Sequence, residues 1–341
     1  MTQNKSALIE RAMTDLPALL RGKGYQPLGL PRLREVIAQR YAMRGLPTSP
    51  DQIVVTSGAM AAIAAVLRAQ VRPGDRVAVE SPTYASALGS LRGAGARVVG
   101  APAGARSVWD PDGWRTTTRA SDPRLAYLVP DFHNPTGELM AEEVRAEMAD
   151  VLRASGTVAL IDESLVELQW DPGAMPLPFA AHMREAFSVG SISKPLWGGV
   201  RVGWVRCPSR QVAAIEAVQA ARLTLDLGAS TLDQLVAAEF LASPEELLAQ
   251  RLAGLRAMRT AWLDALGAIT PTWTSTRPVG GLALWVGLPA RLAPELATAA
   301  GVRGIALAVG PQFSADGGAR DRVRIPLTAQ VDDVAAVVRR L

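Results

Sequence analysis

SISKPLWGGVRVGW, residues 191–204, holds one of only three lysines in the chain. The others are Lys5 and Lys23, and the remaining 33 basic residues are arginines. Arginine stays protonated and is a poor nucleophile, whereas a lysine amine that has lost its proton attacks a carbonyl carbon. Lys194 is therefore a candidate Schiff-base residue. The competing reading is a surface lysine, the commoner fate of this residue type. Its surroundings in the sequence have to decide, and they decide the fold with it.

Immediately before this stretch, AFSVG (186–190) reads as a short buried strand. Similar segments recur upstream: IVV (53–55), RVAVE (76–80), RVVGAP (97–102), LAYLV (125–129) and TVALI (157–161). Helical patterns separate several of them, namely AMAAIAAVLRAQ (59–70), SALGSLRGAG (86–95) and AEEVRAEMADVLRAS (141–155). Short apolar strands alternating with helices predict an α/β fold with a parallel sheet. Two helices precede the first strand, over residues 6–20 and from about residue 33. From about Ser209 the chain reads as helical for a long way. It ends on GLALWVGL (281–288), GIALAVG (304–310), RVRIPL (322–327) and a last helix, DDVAAVVRRL, which together predict a smaller α+β unit. The expected division is an N-terminal helical segment, 1–45, associated with the small domain, a large domain, 46–235, and a small C-terminal domain, 236–341.

The bulk numbers agree with a globular protein. With 341 residues, 49% hydrophobic and 20% charged, the chain can bury a large core. The net charge of +4 is spread without a basic run, so no nucleic-acid partner is implied for this chain. The single cysteine, Cys207, forms no internal disulfide and fits a reducing compartment. The N-terminus lacks the apolar core of a signal peptide, and no apolar run reaches membrane-spanning length. A cytoplasmic protein with no membrane partner is expected. RGAGARVV carries Gly93 and Gly95 but follows a helix, precedes a strand and lacks a third glycine, so it is not a dinucleotide fingerprint. With two histidines and no H-E-x-x-H, metal chemistry is poorly supported and no metal site is expected.

In open parallel sheets ligands bind beyond the carboxyl ends of the strands. After IVV comes Thr56-Ser57-Gly58-Ala59, opening a helix whose free N–H groups suit a phosphate. After RVAVE comes Ser81-Pro82-Thr83-Tyr84, with a tyrosine able to stack on a flat ring. After LAYLV comes PDFHNPTGEL, in which Asn134 can offer its amide to a ligand oxygen. After TVALI comes Asp162, a carboxylate that needs a positive partner if buried. After AFSVG come Ser191 and Lys194, and seven residues past the lysine stands Arg201. Each turn alone has an ordinary structural reading. Together they match pyridoxal 5′-phosphate, with its phosphate, pyridine ring, phenolic oxygen and aldehyde.

GYQPLGLPRLREVIAQR, IVVTSGAMAA, GDRVAVESPTY, PDFHNPTG, ALIDES, SISKPLWGGVRVGW and RIPLTA resemble, in order, the fold-type I enzymes of the class I/II aminotransferase family. Within it the chain is most similar to the aminotransferase-like domain of MocR-type regulators, and the resemblance covers about residues 25–341. It implies a large domain with a mostly parallel central sheet and a smaller α+β domain. It also implies that Lys194 forms the Schiff base, that Asp162 pairs with the ring nitrogen and that Asn134 bonds the phenolic oxygen. Tyr84 would stack on the ring, while Ser57, Gly58, Ala59, Ser191 and Arg201 hold the phosphate. Arg324 would clamp the substrate α-carboxylate, with Arg322 the weaker candidate. Tyr25 matches a residue that such dimers contribute to the neighbouring site, so a homodimer is expected.

The implied reaction is transfer of an amino group between an amino acid and a 2-oxo acid. Three departures bear on it. The tyrosine that usually follows the aspartate is missing, and Ser164 or Leu165 stands in its region; Ser164 is the candidate replacement. The N-terminal arm of relatives is expected to be absent or short. So is the winged-helix domain of MocR regulators, for which residues 1–24 offer too little chain. A sensing domain that forms the external aldimine with little turnover therefore stays open, as do decarboxylation, racemisation and lysis. LTLDLGASTLDQLVAAEFL (223–241) reads as one apolar helix, either a dimer contact or intrachain core.

Overall fold

The structure, a computed structural model, describes residues 2–104, 107–208, 212–329 and 331–341. Seven strands of the described residues form a central sheet: β1 (Ile53–Thr56), β2 (Arg76–Ser81), β3 (Arg97–Pro102), β4 (Leu125–Leu128), β5 (Val158–Asp162), β6 (Phe187–Ser191) and β7 (Gly203–Arg206). Their order across the sheet is β1-β7-β6-β5-β4-β2-β3. The run from β6 to β3 is parallel throughout. The period of two sends alternate residues to opposite faces: Ile53 and Val55 join one core, and Val54 the other. Helices cover both faces, so β1, β4 and β6 are buried along their whole length. That double burial is why these strands read as unbroken apolar runs.

β7 is the exception to the expected parallel sheet. It runs antiparallel between β1 and β6, with Gly203 opposite both Thr56 and Ser191. Reversal brings the start of β7 to the edge where the parallel strands end, and Arg201 comes with it. The crossing is tight: a Cβ on Gly203 would lie 2.5 Å from the Gly58 carbonyl carbon.

The second sheet is antiparallel, order β10-β11-β9-β8, built from β8 (Thr274–Ser275), β9 (Ala283–Gly287), β10 (Ala308–Val309) and β11 (Arg322–Pro326). Most of GIALAVG is not strand, because Gly304, at positive φ, still belongs to the preceding helix end and a 3-10 turn, Gly310–Phe313, follows at once. Leu8, Ala12, Leu33, Ile37 and Tyr41 are buried in the large sheet's core. The helices of segment 1–45, expected beside the small unit, therefore share the core of the large sheet. The helix expected over residues 6–20 is broken into Thr2–Ala12, a 3-10 turn and Leu16–Leu19; Pro17 has no N–H to carry the ladder across the junction.

The expected single helix over 223–241 is two, Val212–Asp226 and Thr231–Ala242. Leu227 at φ +54 and Gly228 separate them, and Ser230 caps the second by accepting from the Asp233 N–H. Gln234, Leu235, Val236, Ala237, Ala238, Phe240 and Leu241 are buried within the chain, so the second helix is largely intrachain core, while Leu225 and Leu227 before it are exposed. Ser209, where the long helical stretch was placed, lies outside the described residues. Among the described residues no helix is long and apolar enough to cross a membrane.

Candidate active site

The strand ends open into a cavity of about 460 Å³, bounded on the far side by the small sheet. Ala59, Tyr84, Asn134, Asp162, Ser164, Ser191, Lys194, Arg201 and Arg324 line it. Ser57 and Gly58 stand just behind Ala59, against Arg201. Tyr25 is outside the lining and 68% exposed. Nine residues drawn from six separate segments thus converge, as the strand-end rule for parallel sheets requires.

At one end the helix Ala59–Gln70 starts on Gly58, with no side chain capping it, so its first N–H groups face the cavity unspent. Gly58 has φ +97, and a Cβ there would lie 2.6 Å from Nη2 of Arg201. The guanidinium packs into the space that glycine leaves, donating to Ser193 Oγ at 3.2 Å and Ser57 O at 3.5 Å. Ser57 Oγ donates to Asp226 at 2.5 Å, and Asp226 pairs with the buried Arg222. Ser191 Oγ donates to Val202 O and accepts from the Ser193 N–H. Gly58→Ala combines strained backbone with a displaced arginine. It is expected to weaken binding of a phosphate-bearing cofactor about tenfold or more, measured by fluorescence titration. Unchanged affinity would remove Gly58 from the phosphate site.

At the other end Asp162 closes β5. Its Oδ2 accepts from Tyr127 Oη at 2.8 Å and its Oδ1 from the Ser164 N–H at 2.9 Å. Burial raises its pKa, and these hydrogen bonds oppose the rise. The Ser164 hydroxyl is buried beside the cavity; among the described residues it meets no partner at good hydrogen-bond geometry, but it lies close enough to Asp162 to help hold that pKa down. In β11 alternate residues turn inward: Val323 and Ile325 enter the small core, and Arg324 faces the cavity. Arg322 instead pairs with Asp321. Arg324 Nε donates to Asn134 Oδ1 at 2.9 Å. That bond engages the amide oxygen, and the Asn134 NH2 donates to no partner among the described residues.

Lys194 makes no hydrogen bond or ion pair among the described residues. Partial burial lowers its pKa, as do the charges of Arg324, Arg201 and Arg251, while Asp162 opposes them. Burial and the nearby guanidinium charges favour the neutral amine. Sequence reasoning missed two partners. Tyr127 sits in an otherwise aliphatic strand, and its hydroxyl had to find an acceptor. Glu80, buried at the end of β2, accepts from Trp109 Nε1 at 2.7 Å, Val129 N at 2.8 Å and Thr83 Oγ1 at 3.1 Å. His133 stands 3.4 Å from it. Glu80 thereby ties the Tyr84 loop to the Asn134 loop.

Comparison with known proteins places this geometry. The chain is 30% identical to a 2-aminoadipate transaminase of Thermus thermophilus, over 97% of this chain and 85% of that one. It is 29% identical to the HTH-type transcriptional regulator YisV of Bacillus subtilis, matching 77% of this chain and spanning about half, 54%, of the regulator. The structure superposes on LysN, the α-aminoadipate aminotransferase of Thermus thermophilus, in complex with N-(5′-phosphopyridoxyl)-L-leucine. That match has a TM-score of 0.85 at 28% identity and covers 98% of this chain and 87% of the other. The fold is that of the fold-type I aminotransferases.

The cavity fits pyridoxal phosphate on its own chemistry. An uncapped helix start with an arginine suits the phosphate, a buried acceptor-only carboxylate suits a ring N–H, and the Asn134 amide with the Ser164 hydroxyl beside the cavity suits a phenolic oxygen. The family model for class I and II aminotransferases matches residues 6–341, and the chain belongs to that family.

Proposed function

We propose that this protein is a pyridoxal 5′-phosphate-dependent aminotransferase that moves an amino group between an amino acid and a 2-oxo acid. One observation carries the reading: Lys194, unpaired and with a lowered pKa, shares a cavity with Asp162 and with the Arg324–Asn134 pair. The cofactor supplies an aldehyde for amines and a ring that withdraws electrons when its nitrogen is protonated. Ser57, Gly58, Ala59, Ser191 and Arg201 hold its phosphate, chiefly through backbone N–H groups and the guanidinium. Tyr84 covers the ring. Asp162, held by Tyr127 and Ser164, keeps a proton on the ring nitrogen. The Asn134 NH2 and the Ser164 hydroxyl donate to the phenolic oxygen. Arg324 takes the α-carboxylate of the substrate with its terminal nitrogens. Lys194 would hold the cofactor through its aldehyde, and its Nζ, neutral when free, is placed to take up the substrate α-proton and hand it back.

The test is the absorbance of cofactor-loaded protein with a panel of amino acids, with 2-oxo acids assayed in parallel. Spectral change with release of an oxo acid supports the transaminase. Spectral change without any release favours a sensing role, the reading favoured by the similarity to YisV. The partner of the active form is a second copy of the chain. Exposed Tyr25, Leu225 and Leu227 support this, and sedimentation at micromolar concentration checks it. A cytoplasmic site of action is supported by one buried, unpaired cysteine.

Ser164 also makes a pH prediction. A donor to the phenolic oxygen stabilises its anionic form, so a stronger donor lowers the pH at which the loaded protein's spectrum changes. Ser164→Ala is expected to raise that midpoint. A midpoint unchanged in Ser164→Ala would remove the hydroxyl from the cofactor.

A further inference from the structure

The cavity walls bear on which amino acids are taken, and the inference rests on the transaminase reading above. Four charged side chains line the cavity, Asp162, Lys194, Arg201 and Arg324, and each already has a task. Much of the remaining wall is apolar. Met60, Phe132, Leu165, Leu282 and Phe313 come from five different segments.

This wall is rigid. Phe132, Leu165, Leu282 and Phe313 are each less than a tenth exposed. The Phe132 ring lies over Gly280, where a Cβ would come within 2.3 Å of its Cε1. Phe313 packs edge-on against Trp285 at 5.6 Å, and Trp285 is the register partner of Arg324. The Phe313 carbonyl also accepts from the Thr83 N–H at 2.7 Å, which anchors the turn beside Tyr84. A fixed apolar surface thus adjoins the arginine assigned to the α-carboxylate. An apolar side chain laid on it sheds water at a gain, whereas a carboxylate or ammonium there loses water without a partner.

One feature points the other way. Arg251, on the helix Glu245–Ile269, has no acidic partner among the described residues, and its Nε is buried without a hydrogen bond. It lies outside the cavity lining, yet its charge reaches Lys194, whose pKa it helps to lower.

We propose that the preferred substrates are amino acids with uncharged apolar side chains, of the leucine, methionine and phenylalanine class. The side chain rests on Phe132, Leu165, Leu282 and Phe313 while Arg324 holds the α-carboxylate. Two measurements on cofactor-loaded protein test this. The first is kcat/KM for leucine, methionine and phenylalanine against aspartate, glutamate, 2-aminoadipate and lysine. A preference of about a hundredfold for the apolar set is expected. Phe313→Ala should cut the leucine-to-alanine ratio about tenfold, and Arg251→Met should leave the order of substrates unchanged. The second is calorimetric binding of 4-methylpentanoate against glutarate, which have no amine and cannot react. Tighter binding of 4-methylpentanoate is expected. Faster turnover of acidic substrates, tighter binding of glutarate, or a reversal of preference in Arg251→Met would overturn the proposal. If no amino acid is turned over, the transaminase reading fails, and the calorimetry still decides the chemistry of the walls.

Discussion

Lys194→Ala is expected to abolish transamination, with a loss of roughly a thousandfold or more, while the protein stays folded. The loss is large because one side chain has two tasks, holding the cofactor covalently and moving the α-proton, and proton transfer alone is worth about 10²–10⁴. Folding should survive because the side chain is solvent-accessible and makes no hydrogen bond or ion pair among the described residues. It also stands near two like charges, Arg324 and Arg201, so its removal relieves repulsion. The melting temperature of the variant should therefore equal or exceed that of the parent. Borohydride reduction of the loaded parent followed by peptide mass mapping should fix the cofactor on Lys194, and the variant should yield no labelled peptide. Substantial turnover by the variant would sink the assignment. Label on Lys5 or Lys23, the only other lysines, would move it elsewhere. Lys194→Arg separates charge from chemistry: it keeps the positive charge and should be as inactive as the alanine variant.

The positions of β1, β2, β4, β5 and β6 were legible to within a residue or two because a strand buried on both faces shows as an uninterrupted apolar run. β7 was not. Its four residues include Arg206, buried through a hydrogen bond to Thr48 Oγ1 and stacking over the Tyr41 ring, and its start is hidden behind the Gly-Gly turn after Lys194. Composition could not reveal that this four-residue strand runs backwards. The break near Leu227 was readable in principle, since Gly-Ala-Ser with an aspartate three residues after the serine is a helix-start pattern.

For the site, strand ends in a parallel sheet placed nearly every candidate before any contact was known, because topology alone carries those turns to one edge. Pairings were another matter. Arg324 and Asn134 are 190 residues apart, and no local pattern links them. The choice between Arg324 and Arg322 follows from strand alternation once Val323 and Ile325 are known to face the core. Arg201 beside Gly58 depends wholly on the reversal of β7.

Asp162→Asn should cost about 10²–10³ in kcat with little loss of stability. The two oxygens of Asp162 accept from Tyr127 and from the Ser164 N–H. An asparagine can keep one of these bonds, but its NH2 cannot accept from a ring N–H, so the ring nitrogen loses the partner that holds its proton. Asp162→Ala removes the same partner and also strands the buried Tyr127 hydroxyl, which adds about 1–3 kcal/mol of destabilisation. The two variants should therefore match in activity and differ in melting temperature. Tyr127→Phe probes the support behind the carboxylate: with one opposing hydrogen bond gone, the pKa of Asp162 rises further, and activity should fall about tenfold, most at acid pH. Tyr84→Phe keeps the stacking ring and should be milder still. An Asp162→Asn effect no greater than that of Tyr84→Phe would show that the carboxylate is structural. A cofactor analogue methylated at the ring nitrogen separates the last two possibilities, because it carries the positive charge permanently. If Asp162 acts by keeping that charge, the analogue should recover part of the activity of Asp162→Ala. If Asp162 only positions the ring, the analogue should recover none.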